Sequence, residues 1–339
     1  MKKISRNLQA FRFICACMVL LSHSMILTAA DRGADALLRF SKGGLTLGGF
    51  AIGFFFLAAG YFSEKSLEKK EAKPYLVIRA LRLLPALWIV VAASVVMGFF
   101  VTEWDKKEYL LDPGTWRYLL NGLLIPVHEL PGVFTHHTYV ATVNGALWTL
   151  TLEALCYVGA TILCKGLGWR KEKIRRRVLM GVFMAALILC YGIGILSAAI
   201  LRCIGMFALG MFASAEEENG WLTGKVKVVR GLAIAGAVLL IPVIILGGLF
   251  WELWMYLGLP FILYELFFDC TWQVPEPVAK LGDISYEMYL VGFPIQQLLL
   301  EWDPPISTVC HFTQTVVLDI TLAVLLSFLV NRTLKKQSR

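Results

Sequence analysis

The sequence predicts an all-α, polytopic transmembrane helical bundle of about ten spans, with both termini in the cytoplasm. Three observations carry that expectation. Hydrophobic residues make up 58% of the 339-residue chain and charged residues only 17%, where soluble domains hold about 25% charged; the mean hydropathy is +0.69. The apolar residues gather into runs near the roughly 20 residues that a helix needs to cross hydrocarbon. Lysines and arginines sit in short clusters between those runs, heavier on alternate sides.

Taken in order, the first run covers residues 8–27 behind the basic head Lys2, Lys3 and Arg6. It has span length and no small-residue cleavage site, so it reads as a signal-anchor or first span. Further runs follow at 45–62, 83–101, 146–163 and 178–196, and then at 198–213, 231–249, 253–268, 284–300 and 315–330. Ser197 alone separates the fifth from the sixth. With the N-terminus inside, the inner segments carry 24 Lys and Arg and the outer segments 6, while Arg12 and Arg202 fall within spans. A four-to-one inside bias supports ten spans in this orientation. It also accounts for the net charge of +8, so nucleic acid is not an expected partner. No repeat or low-complexity linker interrupts the pattern, and residues 1–339 read as one multi-pass domain of the cell membrane, in contact with the lipid bilayer.

Eight cysteines include no CxxC pair. Cys15, Cys17, Cys156, Cys190 and Cys203 lie in spans, Cys164 at an inner edge, and Cys270 and Cys310 in loops; small buried hydrophobes describe them better than disulfides or zinc ligands. The long outer loop, 102–145, carries Trp104, Trp116, Tyr118 and three of the five histidines. It either shapes an external acceptor site or caps the outer leaflet. His128, Glu129, His136 and His137 match no metal-ligand spacing, and no metal is expected.

Ionisable groups inside spans are costly, so each invites a functional explanation. Arg12 and His23 are eleven residues apart on the first helix. They therefore share a face to within about 20° and stand about 16 Å apart along the axis. Arg12 lies near the inner boundary and His23, the only histidine placed inside a span, in the outer third. A neutral imidazole is cheap enough to bury and can act as a general base; hydrogen bonding to a neighbouring helix is the alternative. Arg12 can equally snorkel to the interface. Glu153, in the fourth span, lies at a depth close to that of His23. It can orient the imidazole or pair with Arg202. Arg79 and Arg82 are spaced i, i+3 on one face at the inner mouth, which suits phosphate oxygens and also a positive-inside anchor.

The pattern resembles the acyltransferase 3 family of integral membrane acyltransferases, of the O-acetyltransferase type. Arg12 and His23 fit that family's arginine, ten residues, then histidine in the first span. Phe55-Phe56-Leu57-Ala58-Ala59-Gly60-Tyr61 resembles FFxxSG(F/Y), and Arg79-Ala80-Leu81-Arg82-Leu83-Leu84-Pro85 resembles RxxRLxP. Trp148-Thr149-Leu150-Thr151-Leu152-Glu153 resembles WSLxxE, and Gly282-Asp283-Ile284-Ser285-Tyr286-Glu287-Met288-Tyr289-Leu290 resembles GxxSYxxYL. The elements occur in family order from residue 8 to about 294. Ala59 stands where serine is usual, Gln9 where an acidic residue is frequent, and Gly292 where a histidine is common.

The resemblance implies transfer of an acyl group, usually acetyl, from cytoplasmic acyl-CoA to a hydroxyl of a cell-surface polysaccharide, lipid-linked glycan or other envelope acceptor. Acetyl-CoA would be the donor. Arg79 and Arg82, with Arg12, would hold the CoA phosphates; His23 would deprotonate the acceptor, with Glu153 as its partner; Tyr286 and Tyr289 would line the donor channel. The rival is a transporter of a small polar solute or lipid-linked sugar, which buried Arg, His and Glu also suit. Against it stand the arginine pair at the inner mouth and the lack of two-fold internal repetition. A non-catalytic sensor would leave His23 replaceable.

Overall fold

A computed structural model describes residues 5–29, 31, 34–137, 141–166, 178–182, 185, 198–218, 226–269, 272–302 and 306–337. Among these the chain is helical, and β pairing is confined to one isolated bridge between Glu129 and Thr142. The principal helices are α1 (Arg6–Ala29), α2 (Leu47–Lys69), α3 (Ala72–Val101), α4 (Trp148–Thr161), α5 (Ala198–Glu218), α6 (Val226–Leu246), α7 (Leu249–Leu257), α8 (Leu259–Tyr264), α9 (Ser285–Trp302) and α10 (Thr308–Gln337). Six helices among the described residues are long and apolar enough to cross a membrane: α1, α2, α3, α5, α6 and α10. The protein is thus a multi-pass membrane protein.

Several expected spans take a different form. The fourth is a 14-residue α-helix that runs on through a π turn, Ile162–Gly166. The fifth, 178–196, lies mostly outside the described residues, as do the Ser197 boundary, Cys190 and Cys270. The eighth, 253–268, is broken into α7, α8 and a π turn at Glu265–Asp269. Pro260 cannot donate to the carbonyl one turn earlier, and Gly258 ahead of it ends α7. The same glycine lets α6 come close, for a Cβ at Gly236 would lie 2.8 Å from the Gly258 carbonyl oxygen. The last helix starts seven residues before the expected 315. Ser307 Oγ accepts from the Cys310 backbone N–H (3.3 Å) and caps the helix start. Cys310 and His311 are therefore helical and not in a loop.

The centre of the bundle is α1, which packs against α2, α9 and α10. On the far side α2 crosses α5 at a paired glycine contact: a Cβ on Gly60 would strike the Phe207 carbonyl, and one on Gly210 the Leu57 carbonyl. The segment between α3 and α4 folds into a cap of two short helices, Lys106–Leu111 and Pro113–Arg117, each started by an aspartate, Asp105 and Asp112. The cap is fastened to α3 by hydrogen bonds from Trp88 Nε1 to the Gly122 carbonyl (2.7 Å) and from the Tyr109 hydroxyl to the Val95 carbonyl (2.8 Å).

Candidate active site

Four helices, α1 to α4, and α9 enclose a cavity of about 280 Å³. Arg12 reaches it from α1, Arg79 and Arg82 from α3, Glu153 from α4, and Tyr286 and Tyr289 from α9. Phe55 and Ala59 of α2 supply an apolar wall. Each sequence motif thus contributes to a single chamber. With three guanidiniums against one carboxylate on its lining, the chamber favours an anion.

The two motif arginines differ in setting. Arg79 is buried, with its guanidinium 4.8 Å from the ring centroid of Tyr157 and 5.2 Å from that of Tyr75. Stacking on two rings fixes its plane. Arg82, one turn later, is exposed at the edge of the chamber. Arg12 has Arg82, Asp283, Glu287 and Glu153 as charged neighbours.

Tyrosine hydroxyls hold the chamber together. Tyr286 donates to the Leu83 carbonyl (2.7 Å), which ties α9 to the arginine motif of α3. Tyr289 pairs with Thr149 Oγ1 (2.6 Å) and donates to the Ala146 carbonyl (3.1 Å). The rings therefore line the cavity, while their hydroxyls bind neighbouring helices. At the inner end Gly282 is needed for contact, since a Cβ there would meet the Gln9 carbonyl of α1.

Glu153 accepts a short hydrogen bond from Tyr157 on the next turn of α4. Its proposed pairing with Arg202 does not occur: Arg202 is held by both carboxylate oxygens of Glu252, in a buried ion pair away from the cavity. Glu252, one residue ahead of the expected eighth span, faces Arg202 from α7.

His23 is not on the cavity lining. It lies further along the same uninterrupted α1, beside α9. Its ring packs edge-on against Phe293 (centroids 5.1 Å apart), one turn beyond the cavity residue Tyr289. Gln296, about one turn beyond Phe293 on α9, bonds to Leu20 and Ser24 of α1, on either side of His23 in sequence, and the carboxylate that acts on the ring electrostatically is Asp35. Asp35 is fully buried, accepts from Ser22 Oγ (2.5 Å) and from the backbone N–H of Leu38 and Leu47, and so welds the first connection to α1. A second buried imidazole stands nearby. His311 of α10 contacts Ser24 Oγ (3.0 Å) and the Gln296 carbonyl (3.0 Å), so His23 is not the only histidine within a span.

The histidines of the loop between α3 and α4 have separate partners. His128 meets the Asn144 carbonyl, His136 meets Glu103, and His137 bridges Gln297 and Glu301. Among the described residues no group of three or more His, Cys, Asp or Glu side chains is arranged to hold a metal ion.

A helical membrane bundle around an anion-favouring internal chamber, with an imidazole further along the same central helix, is a candidate site for a charged ligand. The family described as an acyltransferase domain matches residues 5–331, so the chain belongs to the acyltransferase 3 family and is an acyltransferase. This sets aside the transporter reading. The chain is similar to an O-acetyl transferase of Shigella phage Sf6, 25% identical over 300 residues that cover 85% of this chain and 84% of that protein. No solved structure matches.

Proposed function

We propose that this protein is a membrane O-acyltransferase that moves an acyl group, acetyl in the leading case, from acyl-CoA to a hydroxyl of a cell-surface glycan or other envelope acceptor. The observation that carries the reading is the convergence of Arg12, Arg79 and Arg82 on one chamber beneath an imidazole borne by the same helix as Arg12. The similar phage O-acetyl transferase supports hydroxyl as the acceptor and acetyl as the group. The 24-to-6 distribution of basic residues supports ten spans across the cell membrane, with cytoplasmic ends and the chamber opening to the cytosol.

In this reading the exposed Arg82 and the stacked Arg79 engage the CoA phosphates, with Arg12 beside them. Tyr286 and Tyr289 form the wall along which the pantetheine arm extends. The acceptor enters from the outer side, beside Phe293. His23 takes the hydroxyl proton as the acceptor oxygen attacks the thioester carbonyl. The C–S bond then breaks, and the imidazolium returns that proton to the departing thiolate, so the products are the ester and free CoA. Imidazolium forms only transiently, and Asp35 stabilises it across a low-dielectric gap. Glu153, hydrogen-bonded to Tyr157, offsets part of the guanidinium charge and keeps the chamber from holding CoA too tightly after turnover. Its place on the chamber lining, where His23 is absent, also favours a second reading in which Glu153 itself handles the proton.

Purified enzyme in nanodiscs tests this directly. His23→Ala is expected to abolish acetyl transfer while CoA binding stays within about twofold. Arg82→Ala should weaken CoA binding by about ten- to a hundredfold, the worth of one charge-assisted contact. Full activity in His23→Ala, or no CoA binding by the wild type, would sink the reading.

A further inference from the structure

The neighbourhood of His23 contains a hydrogen-bond circuit whose direction can be worked out atom by atom. Gln296 of α9 is fully buried. Its Nε2 lies 2.7 Å from the Leu20 carbonyl and 2.8 Å from Ser24 Oγ, both on α1. A backbone carbonyl can only accept, so the amide nitrogen must face α1 and the flipped amide is excluded. Both amide protons are then committed, one to Leu20 and one to Ser24. The Gln296 main-chain carbonyl also only accepts, so His311 carries its proton on Nε2 (3.0 Å) and its bare Nδ1 receives the Ser24 hydroxyl proton (3.0 Å).

Two buried polar atoms remain without partners at this point, Gln296 Oε1 and His23 Nδ1. They belong to residues that close contacts bring together: Gln296 bonds to Leu20 and Ser24, on either side of His23 in α1, and the His23 ring packs on Phe293, three residues before Gln296. Buried polar groups left unpaired are costly, and these two are complementary if the imidazole proton resides on Nδ1. His23 Nε2 is not among the buried unpartnered atoms, and it becomes the nitrogen with the available lone pair.

We infer that Gln296 is the positioning residue for His23: its Oε1 accepts from Nδ1–H, sets the ring's tautomer and orientation, and presents Nε2 as the base. This rests on the reading of His23 as base given above. The task often given to a carboxylate beside a catalytic histidine falls here to a neutral amide, whose orientation is enforced by α1 and by the His311–Ser24 link. Glu153 is left for the chamber. A neutral partner fits an imidazole that must stay unprotonated until the acceptor arrives, since it adds no charge that would favour imidazolium beforehand.

The tautomer is readable without any variant. In 15N-histidine-labelled enzyme in nanodiscs, with the His23 signal assigned by its loss in His23→Ala, the Nδ1–H form is expected near neutral pH. An Nε2–H form overturns the inference. Kinetics give a second arm. Gln296→Leu should lower kcat at least tenfold, within the ~10²–10⁴ that a positioned base supplies, with KM for acyl-CoA within twofold. Gln296→Glu, which keeps an acceptor at Oε1 but loses the donation to Leu20, should move the acidic limb of the kcat–pH profile to higher pH, because a carboxylate stabilises imidazolium. Folded Gln296→Leu with wild-type kcat, or with kcat and CoA affinity lost together, overturns it. If His23→Ala is active, the base assignment fails with it; if His23→Ala is dead and Gln296→Leu is normal, only the Gln296 inference falls.

Discussion

Arg202 shows how a costly charge inside a span finds its justification. It and Glu252 are both buried, and the guanidinium meets the carboxylate through two nitrogens. Such a pair is expensive to dehydrate, and removing one partner strands the other. Arg202→Met is expected to cost about 3–5 kcal/mol of stability, with CoA affinity unchanged in the protein that survives. Arg202→Met with Glu252→Met should recover much of that loss, as read by thermal unfolding in detergent. A loss of CoA binding in the double variant would instead place Arg202 in the functional site. From sequence, Arg202 had one visible acidic neighbour at matching depth, Glu153. Its true partner, Glu252, lies just ahead of the eighth apolar run and meets it only once α5 and α7 are packed together. The residues around His23 were hidden for a similar reason. Asp35 and Gln296 look like an ordinary loop acid and a helix amide until α1 and α9 are packed together, and His311 sat among polar residues ahead of the last apolar run.

Among the elements, hydropathy alone located α1, α2 and α3, because each holds an apolar run long enough to outlast its polar ends. Element boundaries were less legible where a cap or a proline decides them. Ser307 extends α10 into polar sequence, and Pro260 divides a run that is otherwise uniformly apolar. The glycines of the second-span motif were visible as letters, but their purpose was not. Gly60 serves the α2–α5 crossing, where it packs directly against Phe207 backbone. Gly60→Leu should force the helices apart and cost about 1–3 kcal/mol or more, as overpacking does. Gly159 of α4 is the matched control, since a Cβ there meets nothing within 4 Å. Gly159→Ala should raise stability by up to about 1 kcal/mol through helix propensity. If both variants melt alike, the close crossing is not what Gly60 provides.

For the whole molecule, the order of motifs along the chain proved to be a map of one chamber: segments as distant as Arg12 and Tyr289 converge on it. Charge asymmetry extends that map to orientation, which a cysteine-labelling experiment can check. Single cysteines placed at Lys70 and Ser338, in a background without other reactive thiols, should react only with reagents that reach the cytosol, and one at Lys107 only with reagents outside. Labelling of positions 70 and 107 from the same side would break the alternation.

The continuity of α1 has a mechanical consequence. From Arg6 to Ala29 it contains neither glycine nor proline, so it behaves as a stiff lever with Arg12 on one arm and His23 on the other. Occupation of the inner arm by CoA would be transmitted to the outer one, and by thermodynamic reciprocity acceptor and donor must then alter each other's affinity by the same factor. Measuring acceptor affinity with and without desulfo-CoA should reveal that factor, and a Gly-Gly insertion between Arg12 and His23 should reduce it to one.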